Sequence, residues 1–169
     1  IYGIDIEGEW QATEALNFNI GAEWLRAQFT DYPGAQSSTP APGGGNIFFK
    51  MGNAAGNRVP FAPKFTINAA VNYTVDLGGS QLDFNVANAY NSGYFFEPDN
   101  RLKQNAHNLL NGTITWTAGG VKVSAFVRNV FNKVVAGQES ATQFGDLADY
   151  TNPPRTYGVS LSYKFGSVR

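Results

Sequence analysis

Four carboxylates stand near the start of the chain: Asp5, Glu7, Glu9 and Glu23. Paired carboxylates serve widely as general acids and bases, so these are the first candidates for chemistry. Their spacing argues for another role. Asp5, Glu7 and Glu9 recur at every second residue, which in an extended strand sets them on one face. Lys122, Arg128 and Lys164 fall in the same phase of later stretches. We read these residues as charges lining a wet interior, with the acids balanced by the cations. No catalytic constellation emerges, and the chain is not expected to be an enzyme.

A second cluster, Tyr94, Phe95, Phe96, Arg101 and Lys103, falls in a polar connection. Aromatic rings can stack on a planar ligand, and two cations can receive an anionic ferric chelate. The same residues also read as an upper aromatic girdle, with the cations against lipid headgroups or lipopolysaccharide. The one histidine, His107, sits beside Asn105 and Asn108 and reads as solvated or interior-lining rather than as a metal ligand. Without cysteine there is no disulfide framework and no thiolate metal site. No metal and no cofactor are expected. Asn72-Tyr73-Thr74 and Asn111-Gly112-Thr113 match the glycosylation sequon, but both fall inside stretches of strand pattern.

Strands must position these groups. In Tyr2–Trp10, residues Tyr2, Ile4, Ile6 and Trp10 face away from the carboxylates. A short turn is expected around Ala12–Ala15. Leu16, Phe18, Ile20, Ala22 and Trp24 form the next apolar face, and a bulge is possible after Leu25. Asp31 to Pro60, with its SSTPAPGGGN run, has no periodicity and reads as a long loop, mobile at its tip. A clean alternation follows over Phe65–Val75, then a glycine turn at Asp76–Ser80. The Gln81–Asn91 strand carries Leu82, Phe84, Val86 and Tyr90 on one face, interrupted by Asn88. Gly93–Gln104 is a middle-length loop, Ala106–Thr117 a strand and Ala118–Gly120 a turn. Val121–Phe131 is a strand, Asn132–Asn152 a long loop and Pro153–Phe165 the last strand. Short turns follow the odd strands, and longer loops follow the even ones.

Alternation alone does not say which face is wet. A soluble sandwich or a closed soluble barrel shows the same period with the apolar face inside. Three features favour a membrane barrel. The polar faces are mostly Asn, Thr, Ser and Gly. Aromatics cluster at strand ends: Trp10, Tyr73, Trp116 and Tyr163 on the turn side, with Phe29, Tyr90 and Tyr157 on the loop side. The strands are also long for a soluble sheet, whose mode is about 5–6 residues. Charged residues make up 15% of the chain, below the roughly 25% of soluble domains. No apolar run approaches the ~20 residues of a membrane helix. The net charge of -1 leaves no basic footprint for nucleic acid. The expected fold is therefore all-β, a transmembrane antiparallel β-barrel. Seven strands leave open edges, which hydrocarbon does not tolerate. The chain also starts at Ile1 in mid-pattern, so a mature fragment or the ordered part of a longer chain is expected.

Several segments resemble the C-terminal part of a TonB-dependent outer-membrane receptor. These are GIDIEGEW with LNFNIGAEWLRAQF, then Asn57–Lys64 leading into Phe65, and Asn105–Trp116. Val127-Arg128-Asn129-Val130-Phe131-Asn132 and Pro154-Arg155-Thr156-Tyr157-Gly158 with a terminal aromatic complete the series. The resemblance covers nearly the whole chain. It implies that residues 1–165 are the last seven strands of a barrel of about 22 strands, with a plug domain not in this chain. It further implies active import of a scarce nutrient, such as a ferric siderophore, across the outer membrane of a Gram-negative bacterium. Energy would come from TonB and its inner-membrane complex, reached through a more N-terminal part. The implied partners are that complex, the lipid bilayer with its lipopolysaccharide, and the small-molecule nutrient. Phe165 resembles the barrel-terminal aromatic, but Gly166–Arg169 follow it as a short tail. The alternatives are a non-transporting barrel, adhesin or anchor, and a passive porin.

Overall fold

The strand pattern is realised as one wide sheet with three small hairpins at one end. The computed structural model describes residues 1–165. In chain order the strands are β1 (Tyr2–Thr13), β2 (Leu16–Arg26), β3 (Gln36–Pro40), β4 (Asn46–Lys50), β5 (Phe65–Asp76), β6 (Ser80–Asn91) and β7 (Tyr94–Phe95). They continue with β8 (Lys103–Gln104), β9 (His107–Ala118), β10 (Val121–Arg128), β11 (Ala136–Thr142), β12 (Gly145–Tyr150) and β13 (Thr156–Tyr163). The seven-stranded sheet runs β1-β2-β5-β6-β9-β10-β13, with every neighbouring pair antiparallel. Among the described residues, one edge of β1 and one edge of β13 are unpaired.

The register keeps each apolar set on one face. Val75, Tyr73, Val71, Ala69 and Ile67 of β5 stand opposite Leu82, Phe84, Val86, Asn88 and Tyr90 of β6. Asn88 does not break the phase. Its Nδ2 donates to Asn108 Oδ1 at 3.1 Å, on the same face of β9, so two outward amides satisfy each other. Leu161, Val159 and Tyr157 of β13 stay openly exposed, as lipid-facing residues do. The aromatics form two rows. On the turn side Trp10 stacks on Phe18 at 5.4 Å, and Tyr73 lies 6.2 Å from Phe84. On the loop side Tyr2 meets Trp24 edge-on at 5.8 Å, and Trp24 is paired with Phe65. Phe29 does not belong to that row. It lies beyond β2 and packs on Tyr32.

Glycines close the second and third short turns. Gly119 and Gly120 have φ of 52° and 86°, the left-handed pair that a two-residue hairpin needs. At the first turn the strands run further than expected, and only Glu14 and Ala15 remain outside them.

Three expected loops contain strands. Ser37–Pro40 and Asn46–Lys50 pair across the PAPGGG turn, so the SSTPAPGGGN run is not structureless. Asn46-Ile47-Phe48-Phe49 carried the strand propensity there, and Pro40 sits at a strand end, where its missing N–H costs nothing. Residues 136–150 likewise fold into the β11–β12 hairpin, and β7 pairs with β8. The sixth long strand ends at Arg128, three residues early, because Asn129 turns left-handed with φ of 50°. The last strand spans Thr156–Tyr163, since Pro153 and Pro154 have no N–H for the ladder. Phe165 lies beyond it, packed edge-on against Tyr163 at 4.7 Å. The Gly166–Arg169 tail lies outside the described residues.

A sheet with lipid on one face and a lumen on the other has no core between layers. The buried apolar cluster of the described residues accordingly lies among the loops: Phe96, Leu102 and Ala136, with Tyr94 and Ala141 against them.

Candidate functional site

The three long connections share the end of the sheet opposite the glycine turns. Each contributes a hairpin, and short polar side chains tie the hairpins together. Asp99 accepts hydrogen bonds from the Ser37 hydroxyl at 2.9 Å and the Ser38 N–H at 3.3 Å. Asn100 Nδ2 donates to the Arg58 carbonyl, while Arg58 N–H donates to Asn100 Oδ1. Asn46 Nδ2 reaches the Thr142 carbonyl and Asp146 Oδ1. The Ala141 N–H donates to Glu97 Oε1 at 3.1 Å. Gly45, with φ of 78°, rests against the Gln143 carbonyl, so the tips of the first and third hairpins touch.

Arg101 is central to this pad. Its guanidinium donates two hydrogen bonds to Asp146 and a third to the Ser38 hydroxyl. Asp146 is consequently held below the usual carboxylate range, chiefly by the Arg101 hydrogen bond. The same bond raises Arg101 above its ordinary value. Burial, followed by the Asp146 charge, raises Glu139. Tyr94 is raised by burial and then by Glu139.

The five sequence-predicted loop residues are near in sequence but differ in role. Tyr94 and Phe96 meet edge-on at 5.3 Å, and Phe61 packs on both. Phe96 is 5% exposed, inside the pad and on no lipid-facing girdle. Phe95 lies under the Arg58 guanidinium at 5.3 Å. Arg101 faces Asp146, and Lys103 is exposed in β8. Sequence reading missed Ser38, Asp99, Asn100 and Asp146, whose partners lie about 40 to 60 residues away in the chain. The one local signal was the Glu97-Pro98-Asp99-Asn100 turn chemistry.

On the lumen face an amide chain crosses four strands. Asn17 Nδ2 donates to Glu9 Oε1 at 2.8 Å, Asn72 reaches Asn17, and Asn85 Nδ2 donates to Asn72 Oδ1 at 2.7 Å. Above it lies an open trough of about 650 Å³ between Glu7, Glu9, Asn19, Asn68 and Asn111. Gly21, Ala70, Ala87 and Ala89 leave its floor low. Among the described residues the expected cations make no ion pair with these acids. Asp5, Glu7 and Glu9 lie on β1, and Asp5 stands opposite Glu23 of β2. Lys122 and Arg128 lie on β10 and Lys164 just beyond β13, at the other side of the sheet. The strand order separates the two signs by three strands or more. Among the described residues the one ion pair is Arg101–Asp146. Arg128 instead covers the Phe126 ring at 5.4 Å.

His107 is buried, not solvated. Its Nδ1 is 3.0 Å from the Asn105 carbonyl, which can only accept, so Nδ1 carries the proton. Among the described residues no group of three or more His, Asp or Glu is placed to hold a metal. The arrangement offers amides, carboxylates and rings for binding.

A family model described as "TonB dependent receptor-like, beta-barrel" matches residues 1–130. The pesticin receptors of Yersinia pestis and Yersinia enterocolitica are 24% identical over 132 residues, covering 78% of this chain and 17% of theirs. The chain thus spans 17% of the length of these curated relatives. The crystal structure of the ferric yersiniabactin uptake receptor FyuA from Yersinia pestis matches 97% of this chain and 23% of its own, with TM-score 0.75 at 21% identity. The siderophore receptor PiuA from Acinetobacter baumannii matches 96% of this chain and 21% of its own, with TM-score 0.73 at 15% identity. BauA, the ferric preacinetobactin receptor of the same organism, matches 96% and 22%, with TM-score 0.70 at 19% identity. At these identities the likeness is one of fold.

Proposed function

The chain belongs to the TonB-dependent receptor-like β-barrel family, and from that premise we propose that it is part of a receptor importing a ferric siderophore. Members of this family are receptors of the Gram-negative outer membrane, and this chain is a segment of such a barrel. In this reading residues 1–165 are the last seven of about 22 strands, and Gly166–Arg169 are a tail. A plug of roughly 100–150 residues at ordinary domain scale fills the lumen, and TonB with its inner-membrane complex supplies the energy. The family match over residues 1–130 carries the proposal. The siderophores named for the FyuA and BauA receptors support the ligand class.

The loop pad is the ligand-facing part in this reading. Tyr94, Phe95 and Phe96 stiffen it, Arg101 fixes its three hairpins in one arrangement, and Lys103 offers an exposed cation. The test is iron uptake by cells producing the full-length protein, with and without TonB. Accumulation of labelled ferric siderophore only when TonB is present is expected. Uptake without TonB would make the protein a passive porin. No uptake of any chelate would leave an adhesin or anchor.

A further inference from the structure

At the loop end, β2 and the segment entering β5 part company. Leu25 N–H donates to the Lys64 carbonyl, and Val59 N–H donates to the Ala27 carbonyl. Between these two bonds Pro60 to Pro63 leave the ladder. The gap they open is a cavity of about 350 Å³, lined by Trp24, Arg26, Gln28, Arg58, Lys64 and Phe65 among others. Strand alternation puts Trp24 and Arg26 on the outward face with Ile20 and Ala22. Directly opposed residues point to the same side of a sheet. Phe65 is opposite Trp24, and Arg58 is bridged to Gln28. The cavity therefore opens toward lipid, in the row of loop-side aromatics.

Its chemistry is one-sided. Three cations line it and no carboxylate does. Among the described residues none of the three has an acidic partner. Arg26 donates to Gln28 Oε1, and Arg58 donates to the Ala62 and Gly93 carbonyls while covering Phe95. Lys64 Nζ sits over the Phe65 ring at 5.6 Å. Clustered cations at the edge of an apolar face call for an anion that also has an apolar body. The longer loops mark this end as the outer leaflet.

We propose that this rim cavity binds the phosphate-bearing headgroup of an outer-leaflet glycolipid. Arg26, Arg58 and Lys64 receive the phosphate, and the acyl chains run down past Phe65, Ala22 and Ile67. Arginine and lysine around a phosphate give charge-assisted hydrogen bonds. Trp24 and Phe65 suit the boundary between headgroup and hydrocarbon. The inference rests on the outer-membrane placement and not on the import proposal.

The test uses the full-length protein in nanodiscs, titrated with bisphosphorylated lipid A and followed by native mass spectrometry. The Arg26→Gln/Lys64→Gln double variant is expected to bind it roughly tenfold more weakly or worse, while Lys133→Gln binds as the unaltered protein does. Lipid A stripped of phosphate is expected to bind both variants alike. Equal binding of lipid A by the double variant and the unaltered protein overturns the proposal. So does displacement of lipid A by inorganic phosphate alone, which would make the site one for a soluble anion. If the double variant does not fold, the unaltered protein still decides. Equal affinity for phosphorylated and dephosphorylated lipid A sinks the assignment.

Discussion

Arg101 grips Asp146 through two parallel hydrogen bonds, 2.7 Å and 2.6 Å long, and reaches Ser38 at 3.1 Å with its third donor. One guanidinium thus joins all three long connections. Arginine does this where lysine could not, because its planar fork presents several fixed donors at once. Asp146 remains well exposed, so the pair itself contributes about 1 kcal/mol or less to stability. Its effect is on arrangement. Arg101→Ala is expected to leave the barrel folded but to raise hydrogen exchange in Gln36–Pro40 and Gly145–Tyr150 together. Faster exchange in one hairpin alone would mean that the loops are not coupled through this residue. Under the import proposal the same variant, and Phe96→Ala, also weaken siderophore binding. Unchanged uptake and affinity in both would remove the pad from ligand binding.

The pad should resist mild acid. Asp146 is depressed by Arg101, so its contribution is complete above the unfolded carboxylate value of about 3.9 and is lost as pH falls through its lower folded value. Glu139 is raised, by burial first. Its charge is a cost above its folded value, and that cost is relieved as pH falls. The two therefore do not weaken the pad between neutrality and about pH 5, and loosening begins only below about pH 4. Proteolysis of residues 133–152 across this range checks the sign. Loosening already at about pH 5 would contradict it.

Asn129 clasps the base of the third loop. It is 5% exposed. Its Nδ2 donates to the Lys133 and Pro153 carbonyls, its Oδ1 accepts from Lys133 N–H, and its own N–H donates to Asn111 Oδ1. Asn129→Leu keeps the bulk but leaves the Lys133 N–H without its acceptor and the Lys133 and Pro153 carbonyls with Asn152 as their remaining side-chain donor, and Leu also disfavours the φ of 50°. A loss of about 1–3 kcal/mol is expected, read as a lowered thermal midpoint of the full-length protein.

The two faces of β13 should differ sharply. Leu161 is 74% exposed and paired across from Val123, while Ser160 on the other face pairs with Ser124. Val159→Arg or Leu161→Arg is expected to cost about 2–4 kcal/mol near the bilayer midplane, and Ser160→Arg little. Folding titrations into lipid vesicles measure both. Equal tolerance would deny the membrane orientation.

Gly158 is shaped by Phe126. A Cβ on Gly158 would lie 2.9 Å from Phe126 Cζ, because the ring covers that backbone on the lumen face. Gly158→Val is expected to destabilise by about 1–3 kcal/mol. Phe126→Ala in the same chain should recover most of the loss. Additive losses would show that the ring has room to move.

The sequence by itself determined the seven long strands, their order of short turns and long loops, and which residues share a face. Those features are local: a period of two, a glycine pair, a run of apolar side chains. Asn129 and Pro154–Gly158 were also visible as motifs, though not what Asn129 holds. The tertiary structure decided the rest. Only the strand order could show that four strands separate Asp5, Glu7 and Glu9 from Lys122 and Arg128, because charge counting carries no distance. Only folding could bring Ser38, Arg101 and Asp146 together, since each is an ordinary polar loop residue until its partners arrive. The hairpins inside the loops were hidden for the same reason. Gln36–Pro40 and Ala136–Thr142 have little strand propensity of their own, and they hold because partner strands and neighbouring hairpins satisfy their polar groups.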